Sequence, residues 1–333
     1  MRKIKIAQIG TSLNSHGNMV FDSIKKNDDI FEIAGYVMPE NEREKFPQNM
    51  PCFEEYNELT LDEVMNNPEI EAVAVETEEK YLTKYALMAA KHNKHIHMEK
   101  PGGLNFNEFN ELISIMKNNK KIFHTGYMYR YNPYIIELKE QIKNGDLGEI
   151  ISVEAQMNCI HKKEVRDWLG EFPGGMMFFL GCHLIDLIFS IQGTPKKIIP
   201  LNKCSGIDGV TSDDFGMVVF EYEKGYSFAK ASAVEMGGFE RRQLVVSGTK
   251  KTVEIKPLEW FVEGGTVSIK CDRDSSVWQE NGKVETSALY KRYEPMMINF
   301  AKMVAGEKSN PQSYEYELEL YKLIMKACCG EKI

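Results

Sequence analysis

The sequence predicts two domains, a doubly wound α/β sheet of parallel strands followed by a mostly antiparallel sheet with helices. Three observations carry this. The first third of the 333-residue chain alternates short apolar runs with amphipathic ones. One apolar run, IEAVAVE, is nearly continuous, as a strand buried on both faces requires. After Asn132 the rhythm gives way to wide strand-like alternation with hairpin-type turns.

The elements follow in order. KIKIAQIG reads as a strand ending at Gly10, and MVFDSIKKN has the helical period. FEIAGYVM is a second strand, followed by a polar helix start at Pro39–Glu42. LDEVMNN is a short helix, IEAVAVE the third strand, YLTKYALMAAKHN a helix and HIHME a strand. FNEFNELISIMKNN and KIFHTGYM close the alternation, which implies right-handed crossovers. Pro133 then opens the helix YIIELKEQIKNG, closed by Gly145. IISVEAQMN, KKIIPLNKC, FGMVVFEYE, YSFAKASAV, RRQLVVSG and KTVEIKP read as strands, with turns at Glu223–Gly225 and Ser247–Lys251. Helices are expected from Gly175 to Gln192, Glu294 to Val304 and Tyr314 to Cys328. The domain boundary falls near Gly126, giving domains 1–125 and 126–333.

The net charge of −8 argues against a nucleic-acid binder, which shows a basic excess. Seven cysteines without C-x-x-C spacing read as reduced thiols of a cytoplasmic protein. The N-terminus reads as a first strand rather than a signal peptide, and no apolar stretch reaches spanning length.

In a doubly wound sheet, ligands sit beyond the carboxyl ends of the strands. The first such turn is IGTSLNSHGN, where a dinucleotide fingerprint has three glycines. Only Gly10 is present, with Ser12 and Ser15 at the other two places. The acid that would receive an adenosine ribose is replaced by Met38, and Arg43 lies a turn further on, within reach of a 2′-phosphate. The choice between NAD and NADP therefore stays open. Glu78 and Glu79 end the third strand, and each taken alone reads as solvated.

HIHMEKPGG places His95, His97 and Glu99 on one strand face, with Lys100 at its end. H-x-H is a zinc spacing, but no third ligand stands nearby, so no metal is expected and the histidines pack against a helix. Lys100 at a parallel strand's carboxyl end is an anchor for a hydroxyl or alkoxide; the bland alternative is a solvated lysine. His183 and Asp186 interrupt an apolar helix at i and i+3. Such groups are costly unless satisfied or used, so His183 reads either as a proton acceptor or as a core histidine tied to a carbonyl.

With EKP at Glu99–Pro101, YMYRYNP at Tyr127–Pro133, GG…GCHLIDL, DDFG and VSGTK, the chain resembles the Gfo/Idh/MocA family over almost its full length. The resemblance implies an N-terminal Rossmann domain and a C-terminal open, mostly antiparallel sheet with helices on one face. It implies NAD or NADP as cofactor and a sugar-like or polyol substrate. A homodimer or homotetramer through the C-terminal sheet is implied as well, with neither nucleic acid nor membrane as partner. Carried over, the catalytic pair is Lys100 and His183. Tyr129, Arg130 and Trp168 join them at the substrate, and Gly10, Ser12, Leu13, Met38, Thr77 and Glu99 take the cofactor side. The family's aspartate four residues before the histidine is Phe179 here. That departure, with Ser12, Ser15, Met38, Glu78 and Glu79 at the nucleotide end, suggests altered or weakened cofactor binding. Two readings result: an oxidoreductase acting on a secondary hydroxyl or ketone, or a catalytically degenerate sugar- or partner-binding protein on the same scaffold.

Overall fold

The computed structural model describes residues 2–330. They divide into two units, one running to Tyr127 and taking up Tyr293–Tyr321, the other holding Met128–Arg292 and the residues from Lys322 on. The sequence reading put everything after 125 into the second domain. Instead the chain returns to the first unit near its C-terminus.

In the first unit, five short strands form a wholly parallel sheet: β1 (Ile4–Ile9), β2 (Phe31–Val37), β3 (Ala72–Val75), β4 (His95–Met98) and β5 (Phe123–Thr125), in the order β2-β1-β3-β4-β5. Between them run α1 (Gly17–Lys26), α2 (Glu42–Lys45), α3 (Leu61–Asn66), α4 (Leu82–Lys91) and α5 (Phe106–Asn118). β3 reads AVAV and is buried at every position, so helices must cover both its faces. Local sequence sets the helix starts. Thr60 and Glu63 form a reciprocal capping box on α3, and the Asn105 side chain accepts the N–H groups of Asn107 and Glu108 at the start of α5.

The second unit begins with α6 (Pro133–Lys143), whose first N–H groups are received by the Asn132 side chain. Its eight-stranded sheet has the order β15-β14-β11-β10-β6-β9-β8-β7. The strands are β6 (Ile150–Asn158), β7 (Lys197–Pro200), β8 (Phe215–Glu221), β9 (Tyr226–Ser232), β10 (Gln243–Gly248), β11 (Thr252–Ile255), β14 (Ile269–Arg273) and β15 (Lys283–Thr286); β12 (Trp260–Val262) and β13 (Gly265–Val267) pair separately. β6 and β9 pair in parallel and every other neighbour pair is antiparallel. Both foreseen hairpins are present, β8 to β9 and β10 to β11. α7 (Lys163–Trp168) precedes a π-helical stretch, Met177–Gly181, which runs into α8 (Cys182–Gln192). α8 packs on β6 and β9. β12 to β15 and α7 were not foreseen: β12, β13 and α7 are too short, at three to six residues, to show a period, and β14 and β15 carry charged residues where a buried strand would repeat apolar ones.

The returning segment contributes α9 (Glu294–Val304) and the start of α10 (Tyr314–Cys329) to the first unit. α9 packs against α1, and its Phe300 stacks on His124 with ring centroids 5.6 Å apart and meets His97 at 5.9 Å. Tyr321 stacks on Phe109 at 4.2 Å, and its hydroxyl donates to the Gly103 carbonyl at 3.0 Å. The apolar face of the return is thus spent on the first unit, which is why sequence order misplaced it. No disulfide forms among the seven cysteines, and among the described residues no helix is long and apolar enough to cross a membrane.

Phe300 is fully buried. Phe300→Ala is expected to lower the unfolding free energy by about 3–5 kcal/mol, read from urea denaturation. A loss under about 1 kcal/mol would mean that the return is not part of the first unit's core.

Candidate active site

The strand order reverses direction at β1, so the crevice of this sheet opens between the ends of β1 and β3. Gly10 continues β1 with φ 84°, and a Cβ there would stand 2.4 Å from Thr77 Cγ2. Only glycine fits. The Ser12 hydroxyl is buried and has no hydrogen-bond partner among the described residues. The ten-residue helix α1 starts without a side chain of its N-cap residue His16 on its N–H groups; the Gly17 N–H meets the Ser15 hydroxyl at 3.4 Å and the Met19 N–H meets Asn18 Oδ1 at 3.0 Å. These features fit a dinucleotide pyrophosphate. Leu13 is exposed and Thr77 is fully buried. Met38 turns away from this turn and packs on the Phe21–Tyr36–Phe53 cluster. Arg43, the sequence candidate for a 2′-phosphate, is engaged by the Glu58 carboxylate and by the Tyr36 hydroxyl at 2.8 Å.

The sequence reading of Glu78 and Glu79 as solvated is corrected. Glu79 is 0% exposed and Glu78 8%. Cations elsewhere in the sequence decide this: Lys45 reaches Glu78 at 3.1 Å, and Lys100 acts on Glu79. Lys100 itself is 2% exposed, with its Nζ 3.5 Å from Glu99 Oε1. Register explains the crowding. Val75 pairs with Met98, so the next residues, Glu76 and Glu99, leave the sheet side by side. Burial pushes Glu76 up to about 8 and Glu79 and Glu99 to about 7, while the Lys100 ammonium pulls all three back toward ionisation. No carboxylate oxygen of Glu76 or Glu79 has a hydrogen-bond partner among the described residues.

His97 lies 3.4 Å from Glu76 through Nε2 and 2.8 Å from His124 through Nδ1. Burial lowers the His97 pKa to about 4, so its ring meets His124 as a neutral group. His95 accepts the Ile122 N–H at 3.0 Å. Both histidines are thus held by neighbours inside the sheet, and among the described residues no group of three or more His, Cys, Asp or Glu is placed to hold a metal.

In the second unit, His183 is buried on α8 and packs edge-on against Tyr129, with ring centroids 5.4 Å apart. The Tyr129 hydroxyl donates to Glu259 at 2.6 Å. Glu259 also accepts from Arg242 at 2.7 Å and from Arg292 at 2.7 and 2.8 Å. Burial works against this carboxylate, yet the two guanidinium groups outweigh it and hold its pKa below the usual range. Arg130 forks onto Asp186, with contacts of 2.7–3.1 Å. Phe179 meets Trp168 edge-on at 5.1 Å, and Trp168 meets Phe172 at 4.7 Å. The position of the missing aspartate is therefore part of an aromatic cluster. Sequence reasoning missed Glu76, Glu259 and Arg242. Glu76 carried a usable signal, an acid directly continuing a strand buried on both faces; the other two carried none.

Residues 4–127 match the family described as oxidoreductase family, NAD-binding Rossmann fold, and residues 135–254 match the GFO/IDH/MocA C-terminal domain. The chain belongs to the Gfo/Idh/MocA oxidoreductase family. An oxidoreductase of Formosa agariphila is 26% identical over 283 residues, covering 80% of this chain and 81% of its own. The uncharacterised oxidoreductase ORF334 of Rhizobium meliloti is 22% identical over 59% of this chain, and the match spans 58% of its length. Among solved structures, KijD10, a 3-ketoreductase of Actinomadura kijaniata in complex with NADP and TDP-benzene, superimposes with a TM-score of 0.81 at 12% identity, covering 99% of this chain and 98% of its own. That likeness is one of fold.

The raised carboxyls carry a sign. Glu76, Glu79 and Glu99 have folded pKa values above the unfolded value of 4.5, so their contribution to stability is complete below about 4.5 and is lost as pH rises through about 7–8. The unfolding free energy is expected to fall from pH 5.5 to 8.5. Glu76→Gln should reduce the slope by up to about 1.4 kcal/mol per pH unit between pH 5.5 and 7, measured by urea denaturation at several pH values. An identical slope in the variant would place that carboxyl in water.

Proposed function

We propose that the protein transfers hydride between NAD(P) and a secondary hydroxyl, or the matching ketone, of a sugar-like or polyol substrate. Family membership supports the reaction class. The observation that carries the assignment is Lys100: a lysine withdrawn from water, at the carboxyl end of a parallel strand, beside the acidic side chains Glu76, Glu79 and Glu99, whose pKa values it lowers against their burial. NAD(P), when bound, carries the hydride. Lys100 donates a hydrogen bond to the reacting oxygen and stabilises the negative charge that builds there during oxidation. His183 accepts the hydroxyl proton and returns it in the reverse direction. Tyr129 packs against the imidazole edge-on and limits its rotation, while the Arg130–Asp186 fork fixes the helix that carries it. Trp168 offers an apolar surface to the carbon face of a polyol. The partly exposed positions that alternate along β8 and β10 offer the surface on which two or four copies would pair, which light scattering measures as a multiple of 38.2 kDa.

A second reading, a binding protein without turnover, is favoured by Phe179. A phenylalanine cannot orient the imidazole as a carboxylate does, and here it packs on Trp168.

The test is a fluorescence titration with NADH and NADPH, then turnover against a panel of polyols and keto-sugars. Lys100→Met and His183→Asn are each expected to lower kcat about 10²-fold or more. Binding of a dinucleotide should persist in His183→Asn. Full activity in either variant removes that residue from the chemistry, and dinucleotide binding with no turnover of any substrate tried favours the second reading.

A further inference from the structure

The crevice between β1 and β3 already contains an acid of the chain's own, a carboxyl that burial pushes up to about 8 while the Thr11 and Glu78 N–H groups pull it back toward ionisation. Glu42 is fully buried. One of its carboxylate oxygens accepts the Thr11 backbone N–H at 2.9 Å, and the other accepts the Glu78 N–H at 3.2 Å. Thr11 follows the end of β1 and Glu78 lies just beyond β3, so a single side chain spans both lips of the crevice. Main-chain N–H groups at these strand ends are the donors that a doubly wound fold turns toward a dinucleotide's phosphates. The same oxygen that holds Thr11 stands 2.7 Å from where a Cβ on Gly10 would be. The carboxylate therefore occupies the space that the glycine leaves open.

The backbone is bent to bring it there. Glu40 and Asn41, with φ of 58° and 59°, are both left-handed, a conformation unfavourable for residues that carry a Cβ. Outside contacts hold the bend. Glu40 Oε1 receives Lys84 Nζ at 2.5 Å and the Tyr85 hydroxyl at 2.6 Å, and Arg43 is tied to Glu58 and Tyr36. Asn49 donates to the Thr11 hydroxyl at 2.9 Å and to the Ser12 carbonyl at 3.1 Å, which shapes the turn around the carboxylate. Among the described residues no cation forms an ion pair with Glu42; its hydrogen-bond partners are the two main-chain N–H groups. A buried carboxyl whose two oxygens accept from main-chain N–H groups has the acceptor geometry of a bound phosphate rather than of a structural ion pair.

We propose that Glu42 is an internal substitute for the cofactor's phosphate, occupying the anion position of the free crevice, and that a dinucleotide binds by displacing it. The proposal rests on the NAD(P) reading above and adds to it the residue that sets cofactor affinity. Displacement returns the Thr11 and Glu78 N–H groups to the incoming phosphate. Arg43, tied to Glu58 and Tyr36, keeps the short helix anchored while the Glu42 side chain moves.

The full chain, Glu42→Gln and Glu42→Asp are titrated with NADH and with NADPH, and each free protein is melted. Glutamine keeps the size but replaces one of the two acceptor oxygens with an N–H donor; aspartate is one methylene too short to bridge both N–H groups. Both variants are expected to bind at least one dinucleotide about tenfold more tightly than the parent, because the competing closed state no longer taxes the affinity, and both should melt at lower temperature when free. Equal affinity in parent and variants overturns the displacement and leaves the oxidoreductase reading standing. Weaker binding in both variants also overturns it, making Glu42 a ligand of the cofactor instead. No dinucleotide binding by any of the three proteins overturns it together with the oxidoreductase reading.

Discussion

One ammonium has to be reconciled with three carboxylates in a place water barely reaches, and the organisation of the first unit's strand ends follows from that. An isolated buried charge costs several kcal/mol, and a lysine beside a single acid would still leave either group poorly solvated. Here the cost is spread. Lys100 acts on Glu76, Glu79 and Glu99, whose raised pKa values let some of them stay protonated beside the amine. The arrangement is a consequence of register: with Val75 beside Met98, two acids must emerge together, about one strand spacing apart. An amine between them is the simplest way to make that register tolerable, and it leaves a charged donor at the edge of the sheet where ligands arrive.

The second unit solves a related problem by pairing. Glu259 gathers Tyr129, Arg242 and Arg292, and Asp186 takes Arg130 in a two-pronged fork. Buried ion pairs of this kind add little net stability, but their geometry is exacting. They fix the tyrosine and the helix on either side of His183. The imidazole is therefore positioned by ring packing and by the rigidity of what surrounds it, in a chain that lacks the family's nearby aspartate.

Much of this was legible in the sequence because it is written locally. Strand and helix alternation, the Asn132–Pro133 helix start and both hairpins rest on periodicity and turn chemistry within a few residues. Lys100 stood out at the carboxyl end of a strand and His183 as an ionisable group in an apolar helix, and both are buried. What was not legible depends on partners far apart in the sequence. Whether Glu79 meets water is decided by residues about twenty positions away, and the inward turn of Glu42 by two left-handed residues that no propensity favours. β12 to β15 escaped notice because strands of three to five residues are too short to show a hydrophobic period, and β14 and β15 also carry lysines and acids.

The late return of the chain has a consequence for biosynthesis. A ribosome completes the five parallel strands long before it reaches Tyr293, with 165 residues translated in between. At about 5–20 residues per second that is an interval of roughly 8–33 s. Throughout it the histidine pair of β4 and β5 lacks the aromatic cover of Phe300, so a nascent first unit meets the cell with an unfinished face that chaperones are suited to shield.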